Sequence, residues 1–467
     1  MPNIKGLWPF LTVLAGCVST PEYQAPAIPE TASGAFINAG ETTDSQQVVP
    51  QQWWQLYQDA SLNSLVEMAL SANTSIRVAQ ANLASAYAIY RNTNSQRLPA
   101  TDISANPRYV REPNPWGEGG EKWQWSYSAG INVSYELDFT DRVNQSVRAS
   151  QADMQASQAS LDAVRLAVVA ETTRAYVDSC SLAESINVAE TSIELSAQRL
   201  ELVENREAAG AASRLDVERA AAIYANAQSA LPPLQAQREN SLLELAALVG
   251  VTPNEIPSEA RQCQQPPRLK SIIPVGDGES LLRRRPDVRI AERQLAADTA
   301  RIGIAISQLY PQITLGASAS YNDNPNLEGD EGWSYGIGPL ISWYFPNQQA
   351  VRAQLEQAEA RSEASLANFD ETVLNALKET EQALANYNAM LRQNAALTDA
   401  RDASRRAYEL AQLQYDAGAI SFLDTLVAQT SLIESESALI NNQQQLGSLS
   451  VSVFLALGGG WESQQTN

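Results

Sequence analysis

From Trp123 to Phe139 every odd-numbered residue is apolar (Trp123, Trp125, Tyr127, Ala129, Ile131, Val133, Tyr135, Leu137, Phe139), and every even-numbered one is polar or glycine. A period of two is that of a β-strand, and a run this long sets one face in an apolar medium and the other in water. At about 3.3 Å per residue it reaches roughly 55 Å. Strands in soluble sheets average about 5–6 residues, and the apolar band of an outer-membrane barrel is ~25 Å tall. The run therefore reads as a strand that crosses lipid and projects beyond it. The alternation returns at Ile313 to Tyr321 and Trp333 to Phe345, and more weakly at Ile103 to Tyr109. The predicted strands are about 102–111, 123–139, 312–321 and 333–345, with Gly-, Pro- and acid-rich hairpin ends near Pro113 to Lys122 and Asn322 to Gly332. The chain has no uncharged apolar run of the ~18 residues a spanning helix needs. If it crosses a membrane, it does so as a β-barrel. Four strands do not close one, since the smallest barrels have about eight, so the count calls for two or three copies.

The chain is also duplicated. Thr74-Ser75-Ile76-Arg77-Val78-Ala79 returns as Pro286-Asp287-Val288-Arg289-Ile290-Ala291, and both copies run on to Ser-Gln-x-x-Pro, at Ser95 to Pro99 and Ser307 to Pro311. Trp125-Ser126-Tyr127 matches Trp333-Ser334-Tyr335, and Val147-Arg148-Ala149 matches Val351-Arg352-Ala353. Ala209-Gly210-Ala211-Ala212-Ser213-Arg214-Leu215-Asp216 matches Ala417-Gly418-Ala419-Ile420-Ser421-Phe422-Leu423-Asp424. Matches in one conserved order mark a tandem repeat rather than chance likeness among Ala-rich helices. Each half reads helix, strand pair, very long helix, tight turn, helix. The proline-free stretches of about Arg142 to Glu207 and Gln348 to Asp416 would each be roughly 100 Å as helices. The shorter helices, about 61–97, 214–248, 279–308 and 421–456, would be roughly 45–55 Å each, so two of them end to end match one long one. Apolar residues at three- and four-residue spacing, as in Leu366, Phe369, Val373 and Leu377, form a coiled-coil-like seam.

Composition excludes whole classes of function. There is no histidine, which removes the usual general base, the commonest metal ligand and the serine and cysteine triads. Asp+Glu 53 against Lys+Arg 32 gives a net charge of −21, which argues against nucleic acid as a partner. No Gly-x-x-x-x-Gly-Lys-Ser/Thr motif is present to bind nucleotide. No catalytic residue, metal or soluble cofactor is expected.

Lys5 followed by Leu7 to Leu14 and Ala15-Gly16-Cys17 reads as a secretory signal over 1–16. Leu14-Ala15-Gly16-Cys17 resembles the lipobox of bacterial lipoproteins, which implies diacylglycerol and palmitate on Cys17. Val18 stands where an aspartate would resemble an inner-membrane retention signal, so the outer membrane is expected. Residues 17–55, rich in Pro, Ala, Thr and Gln up to Pro50, read as a lipidated extended tether. The repeats then occupy 56–262 and 263–461, with a tail at 462–467.

Together these features resemble the TolC-type outer-membrane efflux channel family in its NodT-like lipoprotein branch. The likeness runs from Trp53-Trp54 through Leu62 and Leu65 to Ala456-Leu457-Gly458-Gly459-Gly460-Trp461. It implies a mainly α fold with a β-barrel part: a homotrimer in which four strands per protomer close one barrel in outer-membrane lipid, continued by a periplasmic helical barrel. It also implies a periplasmic adaptor, an inner-membrane transporter as the energy source, and passive export of drugs or other small molecules. A non-conducting lipoprotein joining the outer membrane to a periplasmic partner is the alternative.

The duplicated turn has a purely structural reading, in which Gly210 and Gly418 take the left-handed conformation and Ser213 and Ser421 cap the next helices with Asp216 and Asp424. The resemblance adds a periplasmic gate at Asp216, Asp424, Leu423 and Tyr415, with Gly210, Ser213, Gly418 and Ser421 at the turns an adaptor would touch. Position 427 is Val427 where some relatives carry a second acid. For Tyr415 the reading is either a latch or packing. Cys180 and Cys263 are either a disulfide stapling the Pro-rich connection to the long helix or two buried thiols. Arg283-Arg284-Arg285 reads as a phosphate site or, better, as arginines paired with carboxylates. Trp123, Trp125, Trp333 and Trp343 read as interface anchors, and Glu136 and Asp138 as acids favouring cations in a lumen.

Overall fold

The computed structural model describes residues 21–27, 32–40, 43–111, 123–269, 272–323 and 329–459. The expected signal, Cys17, the hairpin end at 113–122, Trp461 and the 462–467 tail lie outside the described residues. The first half contains β1 (Thr43–Asp44), α1 (Ala60–Ala72), α2 (Thr74–Ser95), β2 (Ala100–Arg111), β3 (Trp123–Leu137), α3 (Arg142–Ala208) and α4 (Arg214–Val249). After α5 (Ser258–Gln262) and β4 (Ile273–Pro274) come α6 (Gly278–Arg284), α7 (Pro286–Ser307), β5 (Gln312–Asp323), β6 (Trp333–Ser342), α8 (Gln349–Asp416) and α9 (Phe422–Ala456). Two compact units result, each drawing on both repeats: one holds 82–157 and 290–370 with the first residues, the other 27–81, 158–289 and 371 onwards.

The first unit carries an antiparallel sheet in the order β2-β3-β5-β6. Ile131 lies opposite Ile103 on one side and Ala319 on the other, and Ala319 lies opposite Tyr335. The register thus aligns most apolar residues of the four strands on one face, with Ser, Asn, Thr and Gly, joined by Val110 and Leu340, on the other. Ile103, Tyr335, Ile337 and Ile341 stand exposed on the apolar face, Ile337 at 82%. At one end Tyr109 packs between Trp123 and Trp125 at 5.5 and 5.4 Å, and Tyr321 packs on Trp333 at 5.1 Å. At the other, Trp343 stacks on Phe345 at 4.6 Å. Amphipathic rings at both borders of an apolar band are the arrangement of a lipid-facing barrel wall. The outer edges of β2 and β6 have no partner strand among the described residues.

β3 ends at Leu137 instead of running to 139, because Asp138 accepts from the Val143 and Asn144 amides at 3.0 Å each and so caps α3. Glu136 forms an ion pair with Arg142. The two acids expected to charge the polar face are therefore a helix cap and a neutralised pair. β6 stops at Ser342, and Trp343 turns its indole N–H onto the Leu309 carbonyl at 3.0 Å.

The expected tether is packed. In the first unit Tyr23 lies against Ala152, Ala296 and Ala297 and donates to Glu292 at 2.9 Å. In the second, Phe36, Val49, Trp53 and Trp54 are buried, and β1 pairs in parallel with β4. The Ile37 and Asn38 amides donate to Glu381 at 2.7 and 2.9 Å. Apolar side chains spaced along a Pro-rich segment supply the burial, and β4 and Glu381 satisfy its backbone.

Two helices predicted as continuous are broken. Asn73 separates α1 from α2; its carboxamide accepts from the Ser75 amide at 2.8 Å and donates to the Leu248 carbonyl at 2.8 Å. Arg285 separates α6 from α7 because Pro286 follows it and drives it to ψ 124°. The arginine cluster serves the end of α9. Arg284 Nε donates to the Leu457 carbonyl at 2.8 Å and Arg285 Nη1 to that of Ala456 at 3.0 Å, where cations suit the exposed carbonyls. Arg285 also pairs with Asp287 at 2.6 Å and Glu379 at 2.8 Å, and Arg283 pairs with Glu279 at 2.6 Å.

The Trp53 ring stacks on Phe454 at 4.7 Å in the core of this unit. Cys180, fully buried on α3, is disulfide-bonded to Cys263 just after α5, 83 positions further along the chain. Arg238 of α4 donates to the Arg261 carbonyl at 2.6 Å, holding the same connection.

Replacing both cysteines by serine is expected to lower stability by about 2–5 kcal/mol through release of this loop, read as the thermal midpoint with and without reductant; an unchanged midpoint would discount the staple. Ile337→Arg should block insertion into lipid, at about 2–4 kcal/mol near the midplane, while Gly338→Ser on the opposite face, where nothing lies within 4 Å of a new Cβ, should insert normally. Heat-modifiable gel mobility of the membrane fraction checks both.

Candidate functional site

The two repeats end their long helices in the same way. After α3 the Gly210 amide donates to the Glu207 carbonyl at 2.8 Å and the Ala211 amide to that of Arg206 at 2.7 Å; after α8, Gly418 donates to Tyr415 at 2.9 Å and Ala419 to Gln414 at 2.8 Å. This double closure needs a left-handed residue, and Gly210 and Gly418 both have φ 74°. Three residues on, each next helix begins with a capping box. The Ser213 hydroxyl donates to Asp216 at 2.6 Å and its amide to the same oxygen at 3.2 Å. Ser421 does likewise to Asp424, at 2.6 and 3.0 Å. In return the Asp216 and Asp424 amides donate to the serine hydroxyls at 3.2 and 3.3 Å.

The two turns meet in space. Val203 of α3, Val217 and Ala220 of α4, and Phe422 and Leu426 of α9 form one buried apolar cluster, flanked by Leu200, Ala212, Ile223 and Tyr415. Tyr415 packs on Phe422 at 5.5 Å, and the Arg206 guanidinium lies over its ring at 4.4 Å. Arg206 also approaches Asp416 at 3.8 Å. Gly210, Ser213, Gly418 and Ser421 are exposed, as are Leu423 at 44%, Val427 and Leu215.

The two acids differ in their surroundings. Asp216 has Arg219 at 3.8 Å, whereas Asp424 has no cation partner among the described residues. The Ser421 hydroxyl and then its amide hold the Asp424 carboxyl below the usual carboxylate range. Sequence reasoning missed Arg206 and Phe422 as parts of this cluster. The signal was available, since Arg199 and Arg206 stand seven residues apart and so do Tyr408 and Tyr415, the spacing of a seam between two long helices. Among the described residues no group of three or more acidic or thiol side chains is placed to hold a metal, and no helix is long and apolar enough to cross a membrane.

A sheet with one lipid-facing side, joined to long paired helices that end in duplicated turns, defines an outer-membrane channel subunit. The family model described as "Outer membrane efflux protein" matches residues 65–251 and 278–459, and the chain belongs to that family. It is 29% identical over 468 residues to the solvent efflux pump outer membrane protein SrpC of Pseudomonas putida, covering 97% of this chain and 98% of that one. To nodulation protein T of Rhizobium leguminosarum bv. trifolii it is 28% identical, covering 97% and 96%. Among solved structures, the outer-membrane channel OprN superposes with a TM-score of 0.88 at 30% identity, over 95% of this chain and 100% of that one. VceC of Vibrio cholerae gives 0.80 at 28% identity, over 88% and 99%.

Because the folded-state pKa of Asp424 is depressed, its carboxylate supports the capping box above the unfolded-state value and ceases to as pH falls through the folded one. Ser421→Ala is expected to lower the thermal midpoint by about 1–2 °C at pH 7. The difference should shrink below about pH 4 as the carboxylate protonates. Thermal unfolding followed from pH 7 to pH 3 checks this, and a difference that grows on acidification would contradict it.

Proposed function

We propose that the paired turns are the periplasmic gate of a homotrimeric outer-membrane efflux duct, and that Asp424 is its principal charged element. The chain is the outer-membrane component of a tripartite efflux system in a Gram-negative envelope, working with a periplasmic adaptor and an inner-membrane transporter. One observation carries the channel reading: a sheet apolar on one face and polar on the other, with two unpaired edges. Edges exposed to hydrocarbon leave backbone groups without partners. Three copies place β6 of one chain beside β2 of the next and give twelve strands, within the about 8 to 26 of bacterial barrels. The polar faces then line a water-filled lumen. A non-conducting lipoprotein would have no use for such a sheet.

Export through this duct is passive, the pump supplying the energy and the choice among drugs or other small molecules. The gate assignment is supported by the meeting of both turns in one cluster and by the exposed Asp424, Leu423 and Val427 beside them. Three unneutralised Asp424 carboxylates around one axis would repel one another and attract cations. The adaptor would dock on Gly210, Ser213, Gly418 and Ser421 and favour whichever arrangement of the turns it binds better. Lipidation at Cys17, supported by the lipobox sequence, would anchor the N-terminus without entering the conduction path.

Asp216→Ala with Asp424→Ala is expected to raise single-channel conductance or leak by about twofold or more, the single Asp424→Ala accounting for most of it because Asp216 already faces Arg219. Planar-bilayer recordings of the purified oligomer read this directly; currents unchanged at every pH would remove the gating role from these acids.

A further inference from the structure

Far from the turns, the segments that precede and join the repeats wrap one side of α3, α8 and α9 as a collar. Cys180 of α3 is bonded to Cys263. Asn388 of α8 donates to the Asn38 carbonyl at 2.8 Å. On α9, Ser450 meets the Tyr57 hydroxyl, and Gly447 and Ser450 line one small cavity with Pro266 and Pro267. A helix turns about 100° per residue, so a side chain two positions away points to the opposite side. Two positions from these collar contacts stand Asp178 on α3, Met390 on α8, and Gln445 and Ser448 on α9. All four line a single groove of about 520 Å³, together with Asn441, Gln444 and Leu449. α9 is its floor, and Asp178 and Met390 are its walls. Segments as bulky as the collar would plug a duct from within, so in the assembled channel they lie outside and the groove opens on the lumen.

The groove is polar where most small-molecule pockets are apolar, although its volume is that of one. Its single charge is Asp178, which is partly buried and accepts from the Ser448 hydroxyl at 2.9 Å. Burial raises the Asp178 pKa, opposed by the hydrogen bonds of Ser448 and Gln444 and by the charge of Arg174. Arg174, one turn earlier, is itself turned to Glu171 at 2.6 Å, and among the described residues no cation pairs with Asp178. A carboxylate drawn partly out of water without a counter-charge gains from any cation that reaches it. The carboxamides of Asn441, Gln444 and Gln445 offer both donors and acceptors beside it. Met390 and Leu449 add apolar surface that suits methylene groups.

We propose that this groove is a binding station on the duct wall for hydrophilic organic amines, with Asp178 taking a primary ammonium group and the α9 carboxamides taking further amine or hydroxyl groups. The station is distinct from the gate: at 1.5 Å per residue Asp178 lies roughly 45 Å along α3 from the Gly210 turn. Three copies of the chain set three stations at one level. Apolar cargo has nothing to pair with there and passes without stopping, whereas a polar amine dwells. The duct thus adds a preference of its own to the choice made by the pump. The inference rests on the reading of the chain as a conducting duct.

The test uses spermidine as the probe and the whole chain carrying Asp216→Ala and Asp424→Ala, so that the acids of the turns contribute nothing. Spermidine should block the current of the reconstituted oligomer, and tetramethylammonium, a cation without N–H donors, should not. Asp178→Asn keeps an acceptor for Ser448 and is expected to raise the half-blocking concentration about tenfold or more, the size of one hydrogen bond to a charged group. Asp178→Glu should restore most of the block. An unchanged half-blocking concentration in Asp178→Asn, or equal block by tetramethylammonium, overturns the station. Calorimetric titration of spermidine into the detergent-solubilised oligomer reads the same site without current. Binding that Asp178→Asn abolishes, in an oligomer that conducts nothing, would keep the amine site and sink the duct reading. Finally, Gln445→Cys should react with a water-soluble thiol reagent in the assembled oligomer and be protected by spermidine. A cysteine that reacts only in the dissociated chain would show a second copy filling the groove, and would overturn the proposal.

Discussion

Hydrocarbon offers no hydrogen bonds, and every other feature of this chain is arranged around that constraint. The apolar face of the β2-β3-β5-β6 sheet belongs in lipid, yet among the described residues β2 and β6 each have one edge without a partner strand. A soluble sheet would cover such edges with a helix or loop, whereas these carry Pro107, Arg108 and Pro339 as interruptions and no covering strand among the described residues. Here the edges are continuous in register with the interior of the sheet and need another copy of the chain to complete them. Oligomerisation is thus a condition of the fold, and the duplication serves it by giving each chain two equivalent hairpins.

The same duplication governs the other end of the helices. Gly210 and Gly418, Ser213 and Ser421, and Asp216 and Asp424 solve one local problem twice, reversing a long helix and satisfying its orphan groups within a few residues. What differs is charge. Arg219 sits near Asp216, while among the described residues Asp424 is held by Ser421 without a cation. The repeat therefore leaves its capping carboxylate without a nearby cation in the second half, beside Leu423 and Val427.

Much of this was legible before any coordinates. The strict alternation of Trp123 to Leu137 could be satisfied by only one element, and Gly-x-x-Ser-x-x-Asp twice over specified both turns to the atom. Single residues with competing demands were not legible. Asp138 continued the strand pattern, but its carboxylate is worth more on two free amides of α3 than on a strand face, so β3 ends early. Asn73 and Arg285 interrupt helices whose apolar period runs on unbroken, through one side-chain cap and one following proline. The segment before Trp53 looked like a linker because its composition is that of one, and the spaced apolar side chains of Ala32, Phe36 and Val49 were enough to bury it.

Buried polarity sets how firmly the long helices are paired. An all-apolar seam between α3, α8 and α9 would be more stable and would have one best packing. The seam instead carries Ser196, Arg199, Thr425 and Gln429 at the level just behind the apolar cluster, with Thr425 Oγ1 and Gln429 Oε1 left without a hydrogen-bond partner among the described residues. Unequal pairing of this kind costs stability in any single arrangement, and for the same reason it narrows the gap to the next one. Placing the imbalance one heptad behind the turns keeps it out of the solvent, where water would satisfy every group and erase the difference.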